Sequence, residues 1–543
     1  MTKSDSEIIS RCVQRFEEMR SHRANFEEQW DEVAQVTTPR DQNFNTYFSA
    51  GQKMRSQQYD STAELALSRA SSFYDSVTTP RNKRWHGLKS SNYELNKIDK
   101  VREYFDVVED VLFQMRYGPG SNYPSQRHEQ VRSLFSFGNG VIFTDLVRSR
   151  IRHKAIHLSE CYFDEDAWGF VDTIYRKICM TYRQMVQAFG EDAIPEGIKN
   201  QSKTSSMQKY EVLHTCETND KYDPESANPE ERKYISYYIL NESQKAILDR
   251  TGYNTFPYSV SRDCKSPREI YGRGIGMATL PNVKMLNQMK KTHIEAAHMN
   301  VRPPLLMRDD GSINSVDIRP GRVIVGGVDA NGNPAIMPLN HGARFDISEV
   351  NLVAEQNNIR EWFMLDLFIN SLEREATATE VVARSQEQAR LLSSMSGQEE
   401  TESHSVMIER EINLLNTIPD MLPDMPPELV EAGGEFQIEF SSPLASSQKS
   451  DEALGAMQTF QTIAAAAQFD PSIMDRFDMD AYAMVISEAN GTPAKIMRGD
   501  EDVAMIRQQR AQQEQMMAAA QMAPGVAKAG LDVARTEKTM SEM

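Results

Sequence analysis

The segment NVRPPLLMRDDGSINSVDIRPGRVIVGG, residues 300–327, constrains this chain more than any other stretch. It interrupts two helical patterns, PNVKMLNQMKKTHIEAAHM before it and DISEVNLVAEQNNIREWFMLDLFIN after it. Pro303 and Pro304 lack the donor that a continuing helix needs, and their rings clash with the preceding turn. Asp310-Gly311, within RDDGS, tolerates the positive φ of a tight hairpin. Pro320-Gly321 supplies a second turn, and Val323, Ile324 and Val325 then read as strand. Asp346 and Glu349 have capping-box spacing, so a new helix starts there. The pattern predicts a β-rich tip on two helical arms, within an α+β fold.

Upstream, Ile9, Val13, Phe16, Met19, Phe26, Trp30 and Val33 recur at mostly helical steps, predicting a helix over about 5–36. A second helix follows Ser61 and Glu64, another capping box, with Leu65, Ala66, Ala70, Phe73 and Val77 as its apolar face and Pro80 as its stop. Helices are expected over about 99–116 and 124–136, the latter ending at the glycines of FGNG. Residues 140–265 are rich in β-branched and aromatic residues with partial alternation, and predict a mostly antiparallel sheet region with a short helix near Tyr182–Phe189. Residues 227–232 (ANPEER) read as a polar loop. Thr377 and Glu380 open a long helical pattern reaching Thr417, weakened only by Gly397 and polar on all sides at SGQEETESHS. EFQIEF alternates as a half-buried strand, and helices follow before a Gln/Ala/Met-rich end.

The chain has 543 residues and a net charge of −18. Such acidity argues against a surface that coats DNA, although an acidic lining would let DNA slide without sticking. The cysteines, Cys12, Cys161, Cys179, Cys216 and Cys264, are scattered and form no CxxC pair, which fits a reducing compartment. No stretch approaches the roughly 18–20 apolar residues that span a bilayer, so the chain is expected to be soluble when made, with no membrane partner. There is no GxxxxGK[ST], HExxH or GxSxG. Gly272, Gly274 and Gly276 lack dinucleotide-loop spacing and read as a flexible joint. His293 and His298 fall on different sides of a helix and are not a metal pair. Asp164, Glu165 and Asp166 suit either a solvated turn or a divalent cation, the basis of an alternative reading as a metal-dependent nucleic-acid enzyme. Arg148, Arg150 and Arg152 would share one strand face, open to phosphate or to an acidic neighbouring subunit. Lys284 and Lys291 lie on one side of the first arm, with Lys290 beside them.

Several motifs, in order and spacing, resemble one family. They are YDST at Tyr59–Thr62, the run from Thr79 to Trp85, FGNG at Phe137–Gly140, ECYFDEDAWGFVDTIYR from Glu160, EIYGRGIGMATLPNVKMLN from Glu269, RPP at Arg302, TATEV at Thr377 and SSPLASSQK from Ser441. The chain resembles the head-to-tail connecting (portal) proteins of short-tailed bacteriophages over roughly residues 10–490. The resemblance implies a portal-type protomer: a helix-rich wing and crown, an antiparallel β region in the wing, a two-helix stem and a small α/β clip. The wing would span 1–276, with its helices to about 138 and its β-rich part at 140–265. The stem helices would be 277–300 and 347–370, the clip 301–346 and a channel loop 371–378. A spine helix and closing strand would occupy 379–445, crown helices 446–505 and a tail 506–543.

What the resemblance implies of function is a channel without catalysis, cofactor or metal. It sits in the virion at one capsid vertex after assembly in the host cytoplasm. Its first partner is itself, in a ring usually of twelve. Double-stranded DNA passes non-specifically. The terminase large subunit, tail adaptor and nozzle proteins, major capsid and scaffolding proteins, and internal core proteins complete the set. Arg374, Lys284, Lys290 and Lys291 become channel candidates, with Glu373, Glu375 and Thr377 on the channel loop. Arg302, Arg308, Asp309, Asp310, Arg319 and Arg322 become docking candidates on the clip. Arg148, Arg150, Arg152, Glu399, Glu400 and Glu402 become inter-subunit candidates, the glutamates because a helix polar all round would take partners from neighbouring copies. A capsid scaffold protein, which would build closed particles, is the other alternative.

Overall fold

The computed structural model describes residues 3–42, 44, 51–52, 58–224, 226, 228–242, 244–307, 323–325, 327–328, 331–339, 345–365, 395–440, 443–467, 477–489, 498 and 503–516. The chain divides into two compact units. The first comprises Met1–Trp85, Leu112–Met421 and Ser442–Leu444; the second comprises His86–Val111, Leu422–Ser441 and Ala445–Met543.

In the first unit, helix α1 (Lys3–Thr37) buries Ile9, Cys12, Phe16 and Met19 at helical spacing against a sheet, and buries Trp30, Val33 and Ala34 in a central cluster. Helix α2 (Thr62–Thr78) buries Ala63, Ala66, Leu67, Ala70 and Tyr74 along one face. Its expected capping box is not formed, because Ser61 makes no side-chain cap bond. The Asp60 carboxylate takes that place, accepting from Thr62 N at 2.8 Å. Strand β1 (His86–Ser90) belongs to the second unit, and helix α3 (Asp99–Tyr117) leads back to the first. Helix α4 (Tyr123–Phe137) ends at Gly138, whose φ of 79° is the left-handed cap that the FGNG pattern predicts.

Six antiparallel pairings build two sheets in this unit. The smaller has the order β3-β2-β9, from β2 (Asn139–Val147), β3 (Arg150–Ile156) and β9 (Tyr258–Arg262). The larger runs β4-β5-β6-β7-β8, from β4 (Cys161–Glu165), β5 (Val171–Thr181), β6 (Lys209–Thr218), β7 (Tyr234–Leu240) and β8 (Ala246–Tyr253). Helix α5 (Tyr182–Phe189) lies between β5 and β6 where the pattern places it, with Thr181 N donating to Gln184 Oε1 at 2.8 Å. Helix α6 (Glu196–Thr204) follows it and is not foreseen, because its sequence EGIKNQSKT buries only Ile198. The polar loop carries a single 3₁₀ turn at Pro229–Glu231.

The glycine run 272–276 is not a flexible joint. A Cβ on Gly272 or Gly274 would strike the backbone of Gly138, one on Gly138 would strike Gly272, and one on Gly276 would strike Ser136. The two motifs cross in backbone contact, locked by Asn139. Its Nδ2 donates to Gly272 O at 3.1 Å, and its Oδ1 accepts from Gly272 N at 2.9 Å. Glycine serves here for close approach rather than for motion.

Helix α7 (Ile275–Val301) and helix α8 (Phe345–Trp362) pack on each other and on α2 as the two arms. Between them β10 (Leu305–Met307) and β11 (Ile336–Pro338) form an antiparallel pair. The expected strand at 323–325 is a correction: Val323 and Ile324 have no regular structure, Val325 is in a turn, and Val323 and Val325 are exposed. RDDGS and Pro320-Gly321 lie outside the described residues. Helix α8 ends at Trp362 and Met364 has a φ of 55°, with Leu365 helical again; the remainder of the expected second arm lies outside the described residues. The spine helix is described from 395, and it is not continuous α-helix: a π-helical turn, Glu400–His404, precedes the helix Ser405–Asn416. Its start at Thr377 and Glu380 lies outside the described residues.

In the second unit, β12 (Phe436–Phe440) is the half-buried strand its alternation predicts, and it pairs antiparallel with β1, Leu88 opposite Ile438. Helices Pro443–Ala467 and Met479–Ala489 follow, joined by the aromatic trio Phe460, Phe477 and Tyr482. Among the described residues no helix is long and apolar enough to cross a membrane.

Candidate functional site

The arms are fastened to the body by the YDST motif. Beside capping α2, the Asp60 carboxylate accepts from Gln356 Nε2 of α8 at 2.8 Å. Asn287 of α7 accepts Tyr59 N at 2.6 Å. Burial alone would raise the Asp60 carboxyl, but Thr62, Gln356 and nearby Lys290 hold it below its usual range. Beneath this clamp Val283, Leu286, Leu352, Ile359 and Phe363 pack on Ala63, Leu67 and Ala70. Past Leu286 the first arm buries no residue, and the tip exposes Val301, Leu305, Leu306, Met307 and Met337. Among the described tip residues only Ala335 is buried, and several apolar side chains are exposed.

A second constellation surrounds the π-helical turn, just before which Glu399 sits almost fully buried. Arg127 of α4 donates to both its oxygens, at 2.6 and 2.9 Å. Tyr74 Oη and Ser261 Oγ donate to it as well, each at 2.9 Å. Burial pushes the Glu399 carboxyl up, yet Arg127, His404 and Tyr74 outweigh burial and bring it down to about 2. Three residues on, Glu402 receives Arg262 through Nε at 2.8 Å and Nη2 at 2.9 Å. A π turn adds one residue per turn, which alters the direction in which successive side chains leave the helix. Glu400 between them is half-buried, and burial followed by the Glu399 charge pushes its carboxyl up to about 7. Further along, Arg116 donates to Glu411 through Nε at 2.9 Å, both side chains fully buried.

These contacts correct the expectation that Glu399 and Glu402 take partners from neighbouring copies: both are satisfied by arginines of their own chain. Helix α4 carried the signal for Arg127, since Tyr123, Arg127, Gln130, Val131 and Leu134 fall on one buried face. No pattern flagged Arg262, at the end of β9.

The other expected residues separate into three groups. Lys284 pairs with Glu32 of α1 at 2.7 Å, Lys290 neighbours Asp60, and Lys291 Nζ lies 5.9 Å from the centre of the Tyr59 ring. Arg302 caps the end of α7 and is exposed. Arg150 and Arg152 share the exposed face of β3, whereas Arg148 stands in the hairpin turn with a φ of 53°. Arg374, Glu373, Glu375 and Thr377, with Arg308, Asp309, Asp310, Arg319 and Arg322, lie outside the described residues. Of the acidic run, Glu165 is engaged by Arg262 at 2.7 Å and Lys265 at 2.5 Å, and Asp166 accepts from Trp168 N and Phe170 N. Asp164 has Arg15 at 3.7 Å.

Comparison with known proteins adds four findings. A family model described as bacteriophage head to tail connecting protein matches residues 10–497. The chain is 26% identical to the portal protein of Salmonella phage epsilon15, over 98% of this chain and 95% of that protein. It is 24% identical to the probable portal protein of Bordetella phage BPP-1, over 93% of this chain and 91% of that protein. Among solved structures, a chain in the neck of an empty gene transfer agent particle is similar at a TM-score of 0.35 and 10% identity, over 78% of this chain and 89% of that chain.

Proposed function

The chain belongs to the bacteriophage head-to-tail connecting protein family, and from that premise we propose that it is the portal of a tailed phage. Copies form a ring at one capsid vertex. DNA is driven in through the central channel by a separate terminase motor and leaves by it later. The observation that carries the reading is the extent of the family match, residues 10–497, which takes in the arms, the tip between them, both sheets and the closing strand β12.

The arms are the stem and the tip between them is the clip, whose apolar exposure suits a surface handed from the packaging motor to the tail proteins. Arg374 and the arm lysines face the channel. Lys284 and Lys290 already lie beside Glu32 and Asp60, which leaves little free positive charge to hold phosphate. Twelve copies at −18 each carry roughly 200 negative charges, so contacts with DNA are brief, non-specific and salt-sensitive. Residues 446–505 form the crown.

Electron microscopy of the purified full-length chain at high concentration tests the proposal. Isolated rings with an opening wide enough for a duplex are expected. Compact single molecules, closed shells or an annulus too narrow for double-stranded DNA overturn it.

A further inference from the structure

We propose that the aromatic turn at 166–170 of one copy seats on the arginine face of the β2–β3 hairpin of the next copy, the two patches being the halves of one repeated contact. The inference rests on the ring reading above and names the surface that closes the ring.

The turn is built to hold its shape. Asp166 accepts from Trp168 N and Phe170 N, each at 2.9 Å, and its own N–H donates to Phe170 O at 2.8 Å. Arg262, whose side chain is fully buried, donates to Gly169 O at 2.6 Å and ties the turn to β9. On this fixed loop Trp168 is 84% exposed and Phe170 54% exposed. A rigid, exposed tryptophan loses little entropy on binding, and tryptophan is the residue most enriched at the energetic centres of interfaces. Asp164 and Asp172 flank it. The Asp172 carboxyl is raised, first by burial and further by Asp166 and Asp164, so three carboxylates lie close together here, with Arg15 at 3.7 Å from Asp164.

The hairpin has the opposite character. Arg148, Arg150 and Arg152 are exposed, and among the described residues none of them makes an ion pair. Asp145, the residue opposite Arg152 across the strands, is engaged by Arg410 of the spine helix at 2.9 Å. Guanidinium groups pair with carboxylates and stack on indole faces, so this surface is chemically complementary to the turn.

Placement makes the contact intermolecular. In the order β3-β2-β9 the arginines lie on one edge strand, and the turn is held to the other. They also lie at opposite ends: Val147 pairs with Arg150, and Asn139 pairs with Arg262. The nine residues of β2 separate these ends by about 27 Å, at roughly 3.3 Å per residue. The patches therefore cannot meet within one chain. Two different complementary patches at opposite corners of a rigid element are what a head-to-tail contact requires, and such contacts close into a ring where the rotation from copy to copy closes.

Two charge-reversed full-length variants test the pairing: Arg150→Glu with Arg152→Glu, and Asp164→Lys with Asp172→Lys. Ring formation is read by light scattering and electron microscopy, and circular dichroism checks that each variant is folded. Each variant alone is expected to stay unassembled where the natural chain forms rings. An equal mixture is expected to regain rings with alternating copies, hence an even number, because each variant then meets its complement. Trp168→Ala should raise the protein concentration needed for assembly at least tenfold. Rings from either reversed variant alone, or no rings from the mixture, overturn the pairing and leave the portal reading standing. Arginine variants that keep their rings but lose affinity for duplex DNA assign the face to phosphate and also overturn it. If the natural chain forms no rings, the portal reading itself fails, and this contact with it.

Discussion

Arg127 and Glu399 lie 272 positions apart and meet through two hydrogen bonds in a place that water does not reach. A buried pair of this kind is costly to break from one side, because the remaining charge stays desolvated. Arg127→Met is therefore expected to destabilise the first unit by about 3–5 kcal/mol, read as a lowered calorimetric midpoint. Adding Glu399→Leu should recover much of the loss, since a matched apolar pair leaves no orphaned charge. A single variant that melts like the natural chain would remove this pair from the account of stability. The sequence indicates that Arg127 lies on a buried helical face, but not which acid it meets. That answer depends on how the helix carrying Glu399 is wound at its π turn.

Among the elements, α2 and the two arms act together because a four-residue motif joins them. Asp60 caps one helix and holds Gln356 of a second, while Tyr59 N reaches Asn287 of a third. Asp60→Ala should cost about 1–2 kcal/mol by removing the cap. Amide exchange should quicken at the start of α2 and along α7 and α8 near Asn287 and Gln356. Asp60→Asn keeps an acceptor for the cap and should lose far less. Equal exchange rates in the alanine variant and the natural chain would show that the arms are held by apolar packing alone. Element type was legible wherever periodicity was strong, as in α1, α4, α5 and β12. Strand β1 was not, because HGLKS has no β character of its own and is a strand only through pairing with residues about 350 positions away. The strand expected at 323–325 failed for the converse reason: branched residues favour a strand only where another strand receives them.

For the molecule as a whole, acid is the condition its buried groups resist least. His153, His214 and His404 are fully buried and neutral, and burial followed by neighbouring arginines brings each down to about 3 from an ordinary 6.5. The unfolded chain takes up these protons first, so their contribution is present above pH 6.5 and is lost as pH falls towards 3. Glu399 acts in the same direction between 4.5 and about 2, while Glu400, raised to about 7, opposes them between 7 and 4.5. The first unit is expected to lose on the order of a few kcal/mol between pH 6.5 and 3, measured as a falling melting temperature. A pH-independent midpoint over that range would mean that the histidines are hydrated in solution. Read alone, the sequence determined the helix–tip–helix plan, the sheet region, the acidity and the family, because these depend on local periodicity, turn chemistry and ordered motifs. Tertiary structure decided which residues meet: Glu399 with Arg127, Glu402 with Arg262, and the backbone of Gly138 against that of Gly272. Those pairings join residues far apart in the chain, and burial selects among many chemically equal partners only once the backbone has brought two of them together.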